Sequence, residues 1–290
     1  MTAVVLALTA GFVFGSHGPA LRHGLTKVRD AELASFHCTA FGLLAAVTVA
    51  AAAGKLDDFR IEDAWPFLLI GMLVPGISQV MFVRAIRDIG ASRAMTLTAT
   101  IPLVAGVAAI LFLDEPLRAA LVVGTILVVG GAASLAWDRT RPEDWKSTGV
   151  IWALAGIVLW ATRDTTARWL IGERDIPGVI AAMCVLLTGT LTQLAFLIVM
   201  RRGSQPLGQI RASWRPFVVA GLGFGLGYSA VLAAFEHGKV TVVSPLNATF
   251  ALWGVVISAL LLRRIEAVTV RVGIAAVLIV CGSAVVAATR

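Results

Sequence analysis

A histidine and an arginine sit where a chain this apolar has least tolerance for charge. His17 lies in FGSHGPAL and Arg163 in LWATRDTTARW, each deep within a long apolar stretch. An ionisable group near the centre of a bilayer costs roughly 2.5–3.5 kcal/mol even on insertion scales, so it faces a partner or a water-filled cavity. One of these two groups is permanently cationic and the other titrates near neutral pH. A guanidinium presents a planar fork of donors that suits a carboxylate or phosphate. The chemistry expected is therefore recognition of an anionic or zwitterionic solute, with Arg84 as a further contributor. The competing reading of Arg163 is structural: closer to a helix end, it would snorkel to the interface.

Five more residues are candidates for contact with a solute. Gln79 follows Pro75-Gly76, and Asn247 follows Pro245. Proline inside a spanning helix frees a carbonyl, and such breaks recur where backbone lines a cavity. Trp160 and Tyr228, the chain's only tyrosine, would add an aromatic wall. His37, in ASFHCTAF, is either a proton site or a hydrogen-bonded packing histidine. Asp164 and Arg168 are spaced to pair along one helix face. Gln193 reads equally well as an interhelix hydrogen bond, and Glu236 with His237 as a solvated helix end.

Catalytic, metal and cofactor sites find no support in these residues. The acid pairs Asp57-Asp58 and Glu143-Asp144 fall in polar connections, and no triad spacing or magnesium-binding cluster is present. Cys38, Cys184 and Cys281 lie in apolar stretches without CxxC or zinc spacing, as small hydrophobes. The run GLGFGLGY, Gly221 to Tyr228, has no preceding strand for a dinucleotide fingerprint. Its glycine pairs Gly221/Gly225 and Gly223/Gly227 instead suit close helix packing, and such surfaces would also suit a homodimer. Without a GxxxxGK[ST] loop the chain is not an ATP-driven pump by itself. No enzyme activity and no cofactor are expected.

The elements that must position these residues are plain. Of 290 residues 58% are hydrophobic and 14% charged, too little charge to cover a soluble domain. Ten apolar stretches are predicted to span: Thr2–Leu21, Ala31–Ala53, Trp65–Ile86, Ala94–Leu113, Ala119–Trp137, Gly149–Leu170, Pro177–Met200, Pro216–Phe235, Val240–Leu262 and Ala267–Ala288. At about 1.5 Å per residue most of them cross a hydrocarbon core of about 30 Å. They are continuously apolar, not alternating with period two, which excludes a β-barrel. The N-terminus lacks the basic segment of a secretory signal and reads as the first spanning helix. The fold class expected is an all-α polytopic membrane protein with a lipid bilayer and a small solute as partners, and no nucleic acid.

The polar connection 138–148 divides the chain into residues 1–137 and 149–290, five predicted helices each. An offset of 149 aligns Leu97 with Leu246, Thr100 with Thr249 and Gly124 with Gly273. An earlier register, offset 146, pairs Phe14–His23 with Trp160–Trp169. Five helices per copy would insert the second copy upside down, giving two inverted five-helix repeats. Inverted repeats hold the substrate of many secondary transporters near the midplane. Lys and Arg concentrate in the odd loops (Arg84, Arg87 and Arg93; Arg201, Arg202, Arg211 and Arg215), which predicts a cell inner membrane location with both termini outside.

The stretch TATIPLVAGVAAILFLDEPLRAALVVGTILVVGGAAS resembles the signature of the EamA-type drug/metabolite transporters, with Pro102, Glu115 and Gly124 at the characteristic places. SPLNATFALWGVVISALLLRRIEAVTVRVGIAAVLIVCGSA repeats the outline. Two departures stand in that second copy: Arg263-Arg264 replace the acid, and Ala251 the proline. The family's first-helix tryptophan is matched by Trp160, while Phe14 stands in its place in the first half. The resemblance spans the chain and implies a transporter of metabolites or drugs. Secondary transport by alternating access is the expectation. The alternatives are a lipid-headgroup flippase of the same fold and a membrane enzyme acting on a lipid-linked substrate.

Overall fold

The structure, a computed structural model, describes residues 1–98, 145–174, 176–200, 206–238, 240–262 and 269–287, with scattered positions between 100 and 131. Pro102, Glu115, Arg263 and Arg264, with most of the expected fourth and fifth helices, lie outside the described residues. In the first half α1 runs Thr2–Lys27, α2 Ala31–Ala52, α3 Ile61–Leu73, α4 Ser78–Ile89 and α5 Ala91–Thr98. In the second half α6 runs Thr148–Arg174, α7 Gly178–Met200, α8 Pro206–Ser213 and α9 Val218–His237. There follow α10 Val240–Asn247, α11 Phe250–Leu261 and α12 Val270–Ala287. Among the described residues all regular structure is helical, as it must be where no water is present to satisfy open backbone groups.

Among the described residues five segments are long and apolar enough to cross a membrane: Thr2–Lys27, Ala31–Ala52, Ile61–Ile89, Gly178–Met200 and Arg215–His237. Phe250–Leu261 and Val270–Gly282 are shorter apolar helices. With 27 residues α6 has the length but not the apolarity, because Arg163 and Asp164 interrupt its middle. Two predicted spans prove discontinuous. The third breaks between α3 and α4 at Pro75-Gly76, and the ninth between α10 and α11 at Ala248-Thr249. The first runs six residues beyond Leu21, to Lys27. At the start of α2 the Asp30 carboxylate accepts from the Leu33 N–H at 3.0 Å, which caps the helix and sets a negative charge against its dipole.

Helix ends meet in two groups. At one end Arg22, near the end of α1, donates to the Arg87 carbonyl of α4 at 2.8 Å, and Glu32 of α2 pairs with Arg84. There too the Lys146 N–H donates to the Asp88 carbonyl at 2.9 Å, just before α6 begins. At the other end Arg174 donates to the Glu62 carbonyl at 2.9 Å, and the Gly178 N–H donates to Glu236 at 2.8 Å. Where α1 finishes, α6 starts. The first helices of the two halves therefore run in opposite directions, as an inverted repeat requires.

Packing repeats the same symmetry. The strongest contacts of α1 are with α9, and α6 packs correspondingly on α4; α2 lies on α9 as α7 lies on α3, while α2 and α7 meet each other. Most of these contacts cross from one half to the other, so the halves interlock instead of forming two separate bodies. Close crossings are made at glycine. A Cβ on Gly225 would lie 2.0 Å from the Gly42 carbonyl oxygen, and one on Gly71 would lie 2.4 Å from the Val185 carbonyl oxygen. Small residues at such points let backbones approach where hydrocarbon gives no solvent-driven attraction.

Candidate functional site

The middle of α1 and the middle of α6 border one cavity. It is lined by Phe14 and His17 of α1, Phe82 of α4, Met95 and Thr98 of α5, Ile101, Trp160, Arg163 and Asp164 of α6, Phe224 and Tyr228 of α9, Asn247 of α10 and Phe250 of α11. The space open to the centres of water molecules amounts to about 50 Å³. Four pairs in this lining are related by the two sequence registers. They are Phe14 with Trp160, His17 with Arg163, Thr98 with Asn247, and Ile101 with Phe250. The cavity thus straddles the pseudo-symmetry axis of the molecule. The fourth and ninth spans supply it at register-related turns, where the Thr100 N–H bonds Leu97 O at 3.0 Å and the Thr249 N–H bonds Leu246 O at 3.3 Å.

Charge enters the cavity as a neighbouring pair. Arg163 Nη2 lies 2.7 Å from Asp164 Oδ1, and both side chains are buried. The expected partner of Asp164 was Arg168; the structure corrects this, because Arg168 extends toward Gly172. The Arg163 guanidinium also lies over the Tyr228 ring, 4.7 Å from its centroid. That contact places a cation on the electron-rich face of an aromatic ring. Even so, Arg163 Nε and Nη1, Asp164 Oδ1, Tyr228 Oη and Asn247 Oδ1 all lack a hydrogen-bond partner while buried. The close Arg163–Asp164 contact is a charge contact without hydrogen-bond alignment at Oδ1. Each such group costs about 1–3 kcal/mol if left dry, so a cluster of them around one cavity marks a place for water or a ligand.

His17 is committed to protein. Its Nδ1 lies 2.8 Å from the Ala220 carbonyl oxygen, and its Nε2 lies 3.3 Å from the Gln79 amide nitrogen. A carbonyl accepts only, so Nδ1 carries the proton; the amide nitrogen donates only, so Nε2 accepts. With the Gln79 amide in this orientation the ring is neutral. It packs face to face with Phe82 and against Phe224.

The remaining candidates divide. Trp160 lines the cavity and donates its indole N–H to Ser78 Oγ at 2.9 Å. Gln79 stands behind His17, with Oε1 unpartnered. His37 is outside the cavity, bonded to Ser213 Oγ at 3.0 Å and stacked on Phe217. Arg84 is neutralised by Glu32 and stacks over Trp152, so it is no part of the cavity's charge. Gln193 spans the Pro75-Gly76 break, donating from its amide to the Pro75 carbonyl at 3.2 Å and the Gly76 carbonyl at 3.1 Å. Glu236 is exposed at the end of α9, as expected, and its carboxylate also accepts from the Gly178 N–H at the start of α7 at 2.8 Å.

The sequence matches the EamA-like transporter family in two copies, over residues 1–137 and 147–288. The chain belongs to the EamA-like transporter family. As an EamA-like transporter it is a multi-pass membrane protein that moves small solutes. No curated protein matches it. Among 25 matching chains of known structure, one crystal structure superposes on 98% of the transporter and 95% of its own chain, with a TM-score of 0.67 and 20% identity. At that identity the likeness establishes the shared fold alone.

Proposed function

We propose that this EamA-like protein is a secondary transporter, resident in the cell's inner membrane, that carries a small zwitterionic solute with an apolar body by alternating access. The observation that carries this reading is the set of unpartnered polar atoms facing one cavity between inverted halves. Arg163 offers donors to a carboxylate, and Asp164 with Asn247 offers acceptors to an ammonium group. Their formal charges cancel, which favours a zwitterion over the plain anion that two cations would have selected. Phe14, Phe82, Trp160 and Phe224 form an apolar wall for the rest of the solute. The open volume admits an occupant only after the halves shift.

Thermal-shift measurements on purified protein test the substrate class, because a ligand that binds the folded state raises stability by mass action. The series compares α-amino acids bearing apolar side chains with the matching amines and the matching carboxylic acids. The zwitterions are expected to raise the melting temperature and to be taken up by proteoliposomes. Equal shifts by the amines or acids, or no shift by any zwitterion, would remove the reading.

A further inference from the structure

We propose that His17 is the site at which a coupling proton binds during transport, with Gln79 as the reversible partner that lets the ring hold it. This rests on the cavity being the route of the solute. The imidazole bridges three helices. It sits on α1, donates from Nδ1 to Ala220 O of α9 at 2.8 Å, and accepts at Nε2 from the Gln79 amide of α4 at 3.3 Å. The other end of that amide, Oε1, is buried and has no partner. A half-turn of the Gln79 amide exchanges a donor for an acceptor at nearly the same position. With Oε1 turned toward the ring, Nε2 can take an excess proton delivered from solution as hydronium, which leaves water behind, and both N–H groups then have acceptors. The same three residues therefore satisfy the neutral and the protonated ring in turn. An apolar packing histidine would need no partner that can reverse.

The electrostatics fix the direction of coupling. The ionisable groups that share the cavity with the ring are Arg163 and Asp164 on α6 and Tyr228 on α9. The cavity-lining residues of α4, α5, α10 and α11 are uncharged: Phe82, Met95 and Thr98, Asn247, and Phe250. With Arg163 and Asp164 cancelling, a proton on His17 makes the cavity net positive. That favours entry of the solute's carboxylate, and by reciprocity the bound carboxylate favours the proton. Solute and proton are expected to travel together.

Two measurements decide this. Histidine-selective nitrogen NMR of the detergent-solubilised protein, with His17 assigned by loss of its signal in His17→Gln, reports the ring directly. As pH falls, the wild-type ring is expected to pass from the Nδ1–H tautomer to imidazolium, while Gln79→Leu holds the neutral tautomer over the same range. A His17 signal unchanged between pH 4 and 9, or indistinguishable in wild type and Gln79→Leu, overturns the assignment. In proteoliposomes an outward-to-inward gradient of phenylalanine, a zwitterion with an apolar body, is expected to carry protons in with it. His17→Gln should move phenylalanine with at least tenfold less accompanying acidification. Phenylalanine flux without proton movement in the wild type overturns the coupling. No phenylalanine flux at all sinks the substrate reading instead, and the NMR result still decides the histidine.

Discussion

Arg163 and Asp164 are adjacent, buried, and each other's nearest charge, so removing one does more than delete a contact. Breaking such a pair leaves an uncompensated charge in low dielectric, a loss on the order of 3–5 kcal/mol, whereas replacing both partners with apolar residues is often neutral. Arg163→Ala is thus expected to abolish uptake and also to lower the melting temperature by several degrees. The double variant Arg163→Leu with Asp164→Leu should recover the thermal stability and none of the transport. Thermal unfolding beside proteoliposome uptake checks both halves of that statement. A double variant that transports would take the pair out of the site. At this scale the sequence disclosed the polar residues but not their partners. Arg163 stood out because charge in an apolar run is rare. Its pairing with the adjacent Asp164 was overlooked in favour of helical i,i+4 spacing, and the capture of both His17 nitrogens depends on neighbours from α4 and α9 that are distant in the chain. Phe82 and Phe224 escaped notice because an aromatic residue in a membrane helix carries no signal of which way it faces.

The helices themselves are positioned by glycine at specific crossings. Gly225 and Gly223 lie two residues apart on α9 and meet opposite surroundings. A Cβ at Gly225 would sit 2.0 Å from the Gly42 carbonyl oxygen, and that backbone atom cannot rotate aside. A Cβ at Gly223 would meet nothing closer than Ser16 Oγ at 3.8 Å. Overpacking of this kind costs typically about 1–3 kcal/mol, while glycine to alanine in an unobstructed helix recovers up to about 1 kcal/mol. Gly225→Ala is expected to lower the unfolding temperature in detergent, and Gly223→Ala to leave it unchanged or raise it. Equal effects would show that the α2–α9 crossing is looser than described. The glycine spacing was readable as a packing face, but the two glycine pairs looked alike. Which one touches another backbone is fixed by the crossing of α2 over α9, a tertiary fact. Likewise Pro75-Gly76 announced a break, yet not that Gln193, distant in the chain, would donate to both of its carbonyls.

The whole molecule presents a problem of size. About 50 Å³ of accessible space corresponds to roughly three to five waters at about 10–15 Å³ each, far less than a solute with a carboxylate, an ammonium group and an apolar body. The described conformation therefore leaves too little room for such a solute, and binding requires a rearrangement. Interlocked halves cannot simply separate, because α1 is packed chiefly on α9 and α11. On the proposed alternating-access reading one half rocks against the other, with bending where α5 ends and where α10 meets α11, so that one end opens at a time. Thr98 and Asn247 sit at those two symmetry-related breaks and on the cavity wall. Single cysteines at these positions report the motion, provided the exposed Cys281 is first changed to serine; Cys38 and Cys184 are buried. In sealed vesicles, Thr98→Cys and Asn247→Cys are each expected to react with a membrane-impermeant thiol reagent. A saturating solute on one side should slow labelling from that side and alter it from the other, since both faces draw on one population of conformations. Labelling that is indifferent to solute, or that proceeds equally and at once from both sides, would describe an open channel and remove the alternating-access reading.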